Sequence, residues 1–192
     1  SFQLHCNWKD VKGGVVGGSL IRGILRADEK IEIRPGRQVQ VENKIKWIPI
    51  TTTITSINAG SKHVEAATPG GLLGVGTKLD PALTKSDALA GQVLGHEGKL
   101  PPVWEKIRCS VTLMERVVGA TSELIIEPLK HSEPLMLSVG TAVTVGVVSN
   151  TKKDHVEIAL KRPVCAEIGS RIAISRQVGA RWRLIGMGVL GE

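Results

Sequence analysis

Residues 12–36 read KGGVVGGSLIRGILRADEKIEIRPG, and this stretch decides the fold. Gly13-Gly14 and Gly17-Gly18 permit sharp bends or bulges where a side chain would clash. Val15, Val16, Leu20, Ile21, Ile24 and Leu25 offer apolar surface between the bends. Ala27-Asp28-Glu29-Lys30 reads as a tight connection, after which Ile31 and Ile33 alternate with Glu32 and Arg34 as a half-buried return strand. The pattern predicts a β-meander bent to line a small closed barrel.

Working outward, residues 37–46 are polar and charged, as in a solvated loop or edge hairpin. Residues 45–57, IKWIPITTTITSI, alternate with period two, and Pro49 points to an edge or a bulge. Residues 64–67 and 71–77 follow as short strands around the Pro69-Gly70 turn, residues 80–87 read as a loop, and residues 89–95 close a first barrel. Pro101-Pro102 cannot sit in a central strand, so the chain divides into residues 1–98 and 99–192. The second half again reads as strands, at 104–113, 124–127, 135–139, 141–149, 155–160, 171–175 and 182–190, with a hairpin turn at 150–154. No segment keeps a helical period for ten residues, and 113–120 has room for one helical turn at most. The expectation is all-β: two consecutive small closed β-barrels.

Composition narrows the function. The net charge is +7, divided as +3 and +4 between the two halves, which suits phosphate without the density of a nucleic-acid tail. With four Trp, one Phe and no Tyr, aromatic stacking on exposed bases is excluded as a main binding device. Cys6, Cys109 and Cys165 are widely spaced and odd in number, which suits free thiols in a reducing compartment. His5 beside Cys6 has no second pair at ligand spacing, so no metal site is expected. There is no apolar run of membrane length, and no membrane partner is expected. The chain opens at SFQL without Met, inside what reads as a strand at 1–6, and so reads as a piece of a longer protein.

The opening stretch, with its Arg22-Gly23 pair and charged turn, resembles the second domain of the translational GTPases. TPGGLLGVGTKLDP at 68–81, LMERVVGA at 113–120 and ISRQVGARWRLIG at 174–186 resemble the gamma subunit of eukaryotic and archaeal translation initiation factor 2, in one order from about Lys12 to the end. The resemblance implies barrels of the domain II and domain III type and a cytoplasmic carrier of methionyl initiator tRNA to the small ribosomal subunit. It further implies alpha and beta subunits as partners. Residues 3–10 depart from the family's usual turn there.

The same resemblance implies a wall of the tRNA cleft at Arg22, Gly23, Gly70, Gly71, Leu72, Gly74 and Gly76, where small and apolar residues let a methionyl group and a terminal ribose approach backbone. Leu73 and Val75 in that stretch read as barrel core. The alternating edge of Val39, Val41, Lys44, Lys46 and Trp47 is a candidate docking edge for the alpha subunit. The second barrel gathers Lys161, Arg162, Arg171, Arg176, Arg181 and Arg183 against Glu167 alone, and Arg171, Arg176, Arg181 and Arg183 form a candidate surface facing RNA or the ribosome. Strand alternation then sets Arg181 and Arg183 on one face and turns Trp182 into the core.

Catalytic chemistry is missing from the sequence. Residues 13–18 lack the Lys-Ser/Thr of a phosphate loop, and TKSD at 84–87 lacks the Asn of a guanine-reading motif. No GxSxG nucleophile motif occurs. The chain is therefore expected to need no cofactor and not to act as an enzyme, with GTP and Mg²⁺ belonging to a domain outside it. Two alternatives remain at this point: the corresponding domains of a selenocysteine-specific elongation factor, or a scaffold that binds only proteins.

Overall fold

The computed structural model describes residues 13–116, 125–152 and 155–191. The strand expected at 1–6, the loop at 3–10 and the His5-Cys6 pair lie outside these residues, as do residues 117–120 of the expected helical turn. The chain divides into two compact units, Ser1–Leu100 and Pro101–Glu192.

The first unit contains β1 (Val15–Gly18), β2 (Leu25–Arg26), β3 (Lys30–Val41), β4 (Lys44–Ala59), β5 (Lys62–Val64), β6 (Ala66–Ala67), β7 (Leu73–Thr77) and β8 (Val93–His96). Its main sheet runs β1-β7-β4-β3-β8 with β5 added on β4, and β2 pairs separately with β6. Among the described residues this ladder stays open between β1 and β8. The opening stretch is therefore not a meander: β1 pairs with the distant β7, and the sequential hairpins of the main sheet are β3–β4 and β4–β5. Ile31, Ile54, Ile57, Leu73, Val75, Leu25 and Ala67 fill the core, with Ile33, Ile50 and Leu79 in a second cluster.

Local corrections have identifiable causes. Ile21 is 88% exposed and Ile24 is also exposed, because the loop that carries them leaves the sheet between β1 and β2. Glu32 is buried rather than wet, because the segment after β8 folds over that face, with the Gly98 amide on the Glu32 carboxylate and the Leu100 side chain over Gly95 beside it. The expected loop at 80–87 contains a helical turn, α1 (Pro81–Thr84), started by Asp80 accepting a hydrogen bond from the Ala82 amide with proline at the first position. Leu113 is strand, and of the strand expected at 124–127 the described residues 125–127 keep one bridge, between Arg116 and Ile125.

Burial alone would raise the Glu32 carboxyl. The Arg34 guanidinium at 2.9 Å and the Gly98 amide at 3.0 Å outweigh it and hold the group below its usual range. A carboxyl lowered in the folded state contributes stability above the ordinary carboxyl value, and that contribution is lost as pH falls through the folded value. Glu32→Gln should therefore lower the melting temperature at pH 7 and make the acid limb of the stability curve shallower. Thermal melts between pH 3 and 7 check this, and parallel curves for the two proteins would contradict it.

The second unit is a closed barrel of six antiparallel strands: β9 (Val103–Leu113), β10 (Pro134–Val139), β11 (Ala142–Thr151), β12 (Val156–Cys165), β13 (Arg171–Val178) and β14 (Arg181–Leu190). The ladder runs β10-β11-β12-β9-β14 and returns through β13 to β10. Strict alternation places Ile107, Cys109, Leu135, Leu137, Val148, Ile158, Ile172, Ile174 and Leu190 inside. Cys109 and Cys165 are buried thiols outside any disulfide, and burial pushes the Cys109 thiol up to about 11. No helix among the described residues is long and apolar enough to cross a membrane.

Candidate functional site

The expected cleft residues fall into two groups. Gly18 opposite Leu73 ends the pairing of β1 with β7, and Leu25 opposite Ala67 begins that of β2 with β6. Between these ladders, residues 19–24 and 68–72 run side by side as two loops, tied by the Gly70 amide donating to the Leu20 carbonyl at 3.4 Å. The structure thus brings Arg22, Gly23, Gly70, Gly71 and the half-buried Leu72 to one end of the unit, with Ile21 projecting beside them. Gly23, Gly70 and Gly71 have φ of 84°, 125° and 64°, which shape the loops, and the space beside each is open.

The other two glycines sit differently. Gly74 and Gly76 are buried within β7, opposite Gly17 and Val15. A side chain at Gly76 would run into the Ser56 hydroxyl on the neighbouring strand, so packing accounts for that glycine. Leu73 and Val75 are core, as the pattern implied.

Val39, Val41, Lys44, Lys46 and Trp47 lie on the outer arm of the β3–β4 hairpin. Its tip at Glu42-Asn43 has φ of 47° and 61°, the geometry of a tight two-residue turn. Val39 faces Lys46 and Val41 faces Lys44 across the ribbon, while Trp47 faces Gln38 with its side chain on the opposite side. β8 pairs with β3 only from Ile31 to Arg34, and β7 pairs with β4 only from Ile54 onward. The outer arm therefore has no ladder partner on either edge among the described residues. At its base, Gly36 sits in the register shift between Ile33 and Arg37, where the Gln92 side chain receives the Gly36 amide at 2.8 Å and donates to the Gly36 carbonyl at 2.9 Å. Nothing in the sequence pattern marked Gln92 for this role.

The four arginines of the second barrel do not form one set. Arg176 is engaged: its fork grips Glu133, and it also donates to the carbonyls of Glu127 at 3.0 Å and Pro128 at 3.2 Å. Its guanidinium is thereby taken up within the barrel. Arg171 is exposed at the far end of β13, opposite Val189. Arg181 and Arg183 lie at the free end of the β13–β14 hairpin, opposite Val178 and Arg176. Trp182 is not in the core: it is 36% exposed, opposite Gln177. The alternation was right, but the hairpin end runs past the neighbouring strands, so neither face has a core to enter. Ile185, on the face of Arg181 and Arg183, is the first of these residues to reach the interior, and the register shift beside it then brings Gly186, Gly188 and Leu190 inside. Truncating an indole this exposed removes little buried surface, so Trp182→Ala should leave the melting temperature within a few degrees of the parent.

Among the described residues no group of three or more His, Cys, Asp or Glu could hold a metal ion. The features the two units expose are an apolar loop pair in the first and an arginine-tipped hairpin in the second.

Comparison with known proteins bears on what is recognised. The family model described as "Initiation factor eIF2 gamma, C terminal" matches residues 105–190. A translation initiation factor 2 subunit gamma from Methanococcus vannielii is 59% identical over 182 residues, covering 95% of this chain and 44% of the relative. The protein of that name from Halobacterium salinarum is 56% identical over 195 residues, covering 100% and 47%. The one from Pyrococcus horikoshii is 57% identical over 180 residues, covering 94% and 44%. The chain thus spans a little under half the length of these relatives.

Proposed function

We propose that this chain, which belongs to the gamma-subunit family of translation initiation factor 2, provides recognition surfaces for the factor that delivers methionyl initiator tRNA to the small ribosomal subunit. The observation that carries the reading is the identity of 56–59% with gamma subunits over nearly the whole chain. In it, the loop pair of Arg22-Gly23 and Gly70-Gly71-Leu72 forms one wall for the aminoacylated 3′ end. The outer arm of the β3–β4 hairpin docks the alpha subunit, the beta subunit completes the factor, and Arg171, Arg181 and Arg183 face RNA. The setting is the cytoplasm.

One wall alone holds the 3′ end poorly, so affinity rests chiefly on phosphate contacts and falls steeply with salt. Titration of methionyl initiator tRNA at several salt concentrations tests this. The expected result is weak, salt-steep binding that loses slope in the Arg181→Ala, Arg183→Ala double variant. Absence of binding at low salt would leave a scaffold that binds only proteins. The chain should also neither bind nor hydrolyse GTP, because the phosphate-loop and guanine-reading motifs are absent from its sequence. Calorimetric titration with a GTP analogue and Mg²⁺ should give no saturable heat, and micromolar binding would refute the expectation.

A further inference from the structure

From the free end of the β13–β14 hairpin we infer a site for an unpaired RNA nucleotide, with Trp182 stacking on the base and Arg181 and Arg183 holding the flanking phosphates. The inference rests on the RNA-facing reading of this barrel and adds what kind of RNA it takes. β10 pairs with β13 only as far as Arg176, and β9 pairs with β14 only from Gly186 onward. The segment from Gln177 to Trp182, turning at Gly179 with φ 60°, therefore stands clear of the ladder on both edges among the described residues.

The chemistry of this end is one-sided. SRQVGARWRL, residues 175–184, holds three arginines and no carboxylate. Glu133 occupies Arg176, whereas Arg181 and Arg183 have no ion-pair or side-chain hydrogen-bond partner among the described residues. Two uncompensated guanidinium groups favour a polyanion. The indole projects from the opposite face of the ribbon. Because the outer edge of β14 is unpaired from Arg181 to Leu184 among the described residues, a single strand passing along that edge can meet the long arginine side chains on one side and the ring on the other. A duplex keeps its bases stacked and offers the ring nothing, so the indole should discriminate single-stranded from paired RNA.

The test uses the 192-residue chain with two labelled probes, a twelve-nucleotide single-stranded RNA and a twelve-base-pair RNA duplex. Trp182→Ala should weaken binding of the single strand about tenfold while leaving the duplex affinity and both salt slopes unchanged. Trp182→Phe should restore most of the loss. The Arg181→Ala, Arg183→Ala variant should weaken both probes and lower the salt slope by roughly two. Equal single-strand affinity in Trp182→Ala and the parent would overturn the stacking site while leaving phosphate binding in place. It would assign the exposed apolar line of Trp182, Leu184, Met187 and Val189 to a protein partner instead. If the parent bound neither probe at low salt, the RNA-facing reading would fall together with the site.

Discussion

Gly36→Ala should cost the first unit about 3–5 kcal/mol, from a strained positive φ together with an overpacked contact. The residue has φ 94°, and an added methyl would overlap the Ile48 carbonyl oxygen and come within 2.6 Å of the Pro49 Cα. Both obstacles are backbone of β4, so no side chain can swing aside. The clash arises because Arg34–Gly36 crowd against Pro49 where the register shifts, and Gln92 holds the Gly36 backbone from the other side. Gly60→Ala makes the control: φ is 62° there, but the space beside it is open, so only strain of about 1–2 kcal/mol is expected. Calorimetric melts should show one transition strongly lowered by Gly36→Ala and slightly by Gly60→Ala. Equal effects would contradict the packing account.

Arg176→Ala should destabilise the second barrel by about 2–3 kcal/mol, less than a fully buried ion pair would lose because both side chains keep some contact with water. The substitution strips the Glu133 carboxylate of its counter-ion and leaves the Glu127 and Pro128 carbonyls without their donor. Arg176→Lys should rescue little, since an ammonium cannot reproduce the fork. Adding Glu133→Gln to Arg176→Ala should cost less than the two single effects combined, because the orphaned charge is gone. The salt slope of RNA binding should stay at the parent value throughout. A barrel of unchanged stability with a reduced slope would return Arg176 to the RNA-facing set.

Both effects show where the sequence stopped being legible. The all-β class, the second-barrel strands and the inward Leu135, Leu137, Ile172 and Ile174 follow from period-two alternation, a local signal. The pairing of β1 with β7 does not: it joins residues about sixty apart, and nothing in VVGG specifies a distant partner. Glu32 read as solvent-facing because alternation cannot say that the segment at 98–100 will fold over the outer face. Trp182 failed for the converse reason, since alternation holds along the whole hairpin while the core beneath it ends. The candidate site divides in the same way. Arg22-Gly23 and Gly70-Gly71-Leu72 were marked by family resemblance and lie in adjoining loops. Gly76, marked by the same resemblance, lacks a side chain because Ser56 occupies the space. Among the arginines, charge counting could not reveal that Glu133, forty-three residues away along the chain, had already engaged Arg176.

The central claim is that residues 19–24 and 68–72 form a wall for the aminoacylated end of initiator tRNA. Hydroxyl-radical footprinting of methionyl initiator tRNA, saturated with the chain at low salt, tests it most directly. The account predicts protection of the 3′-terminal nucleotides by the parent chain, and loss of that protection with Leu72→Glu while contacts elsewhere on the tRNA persist. An unprotected 3′ end, or protection equally strong in Leu72→Glu, would contradict it.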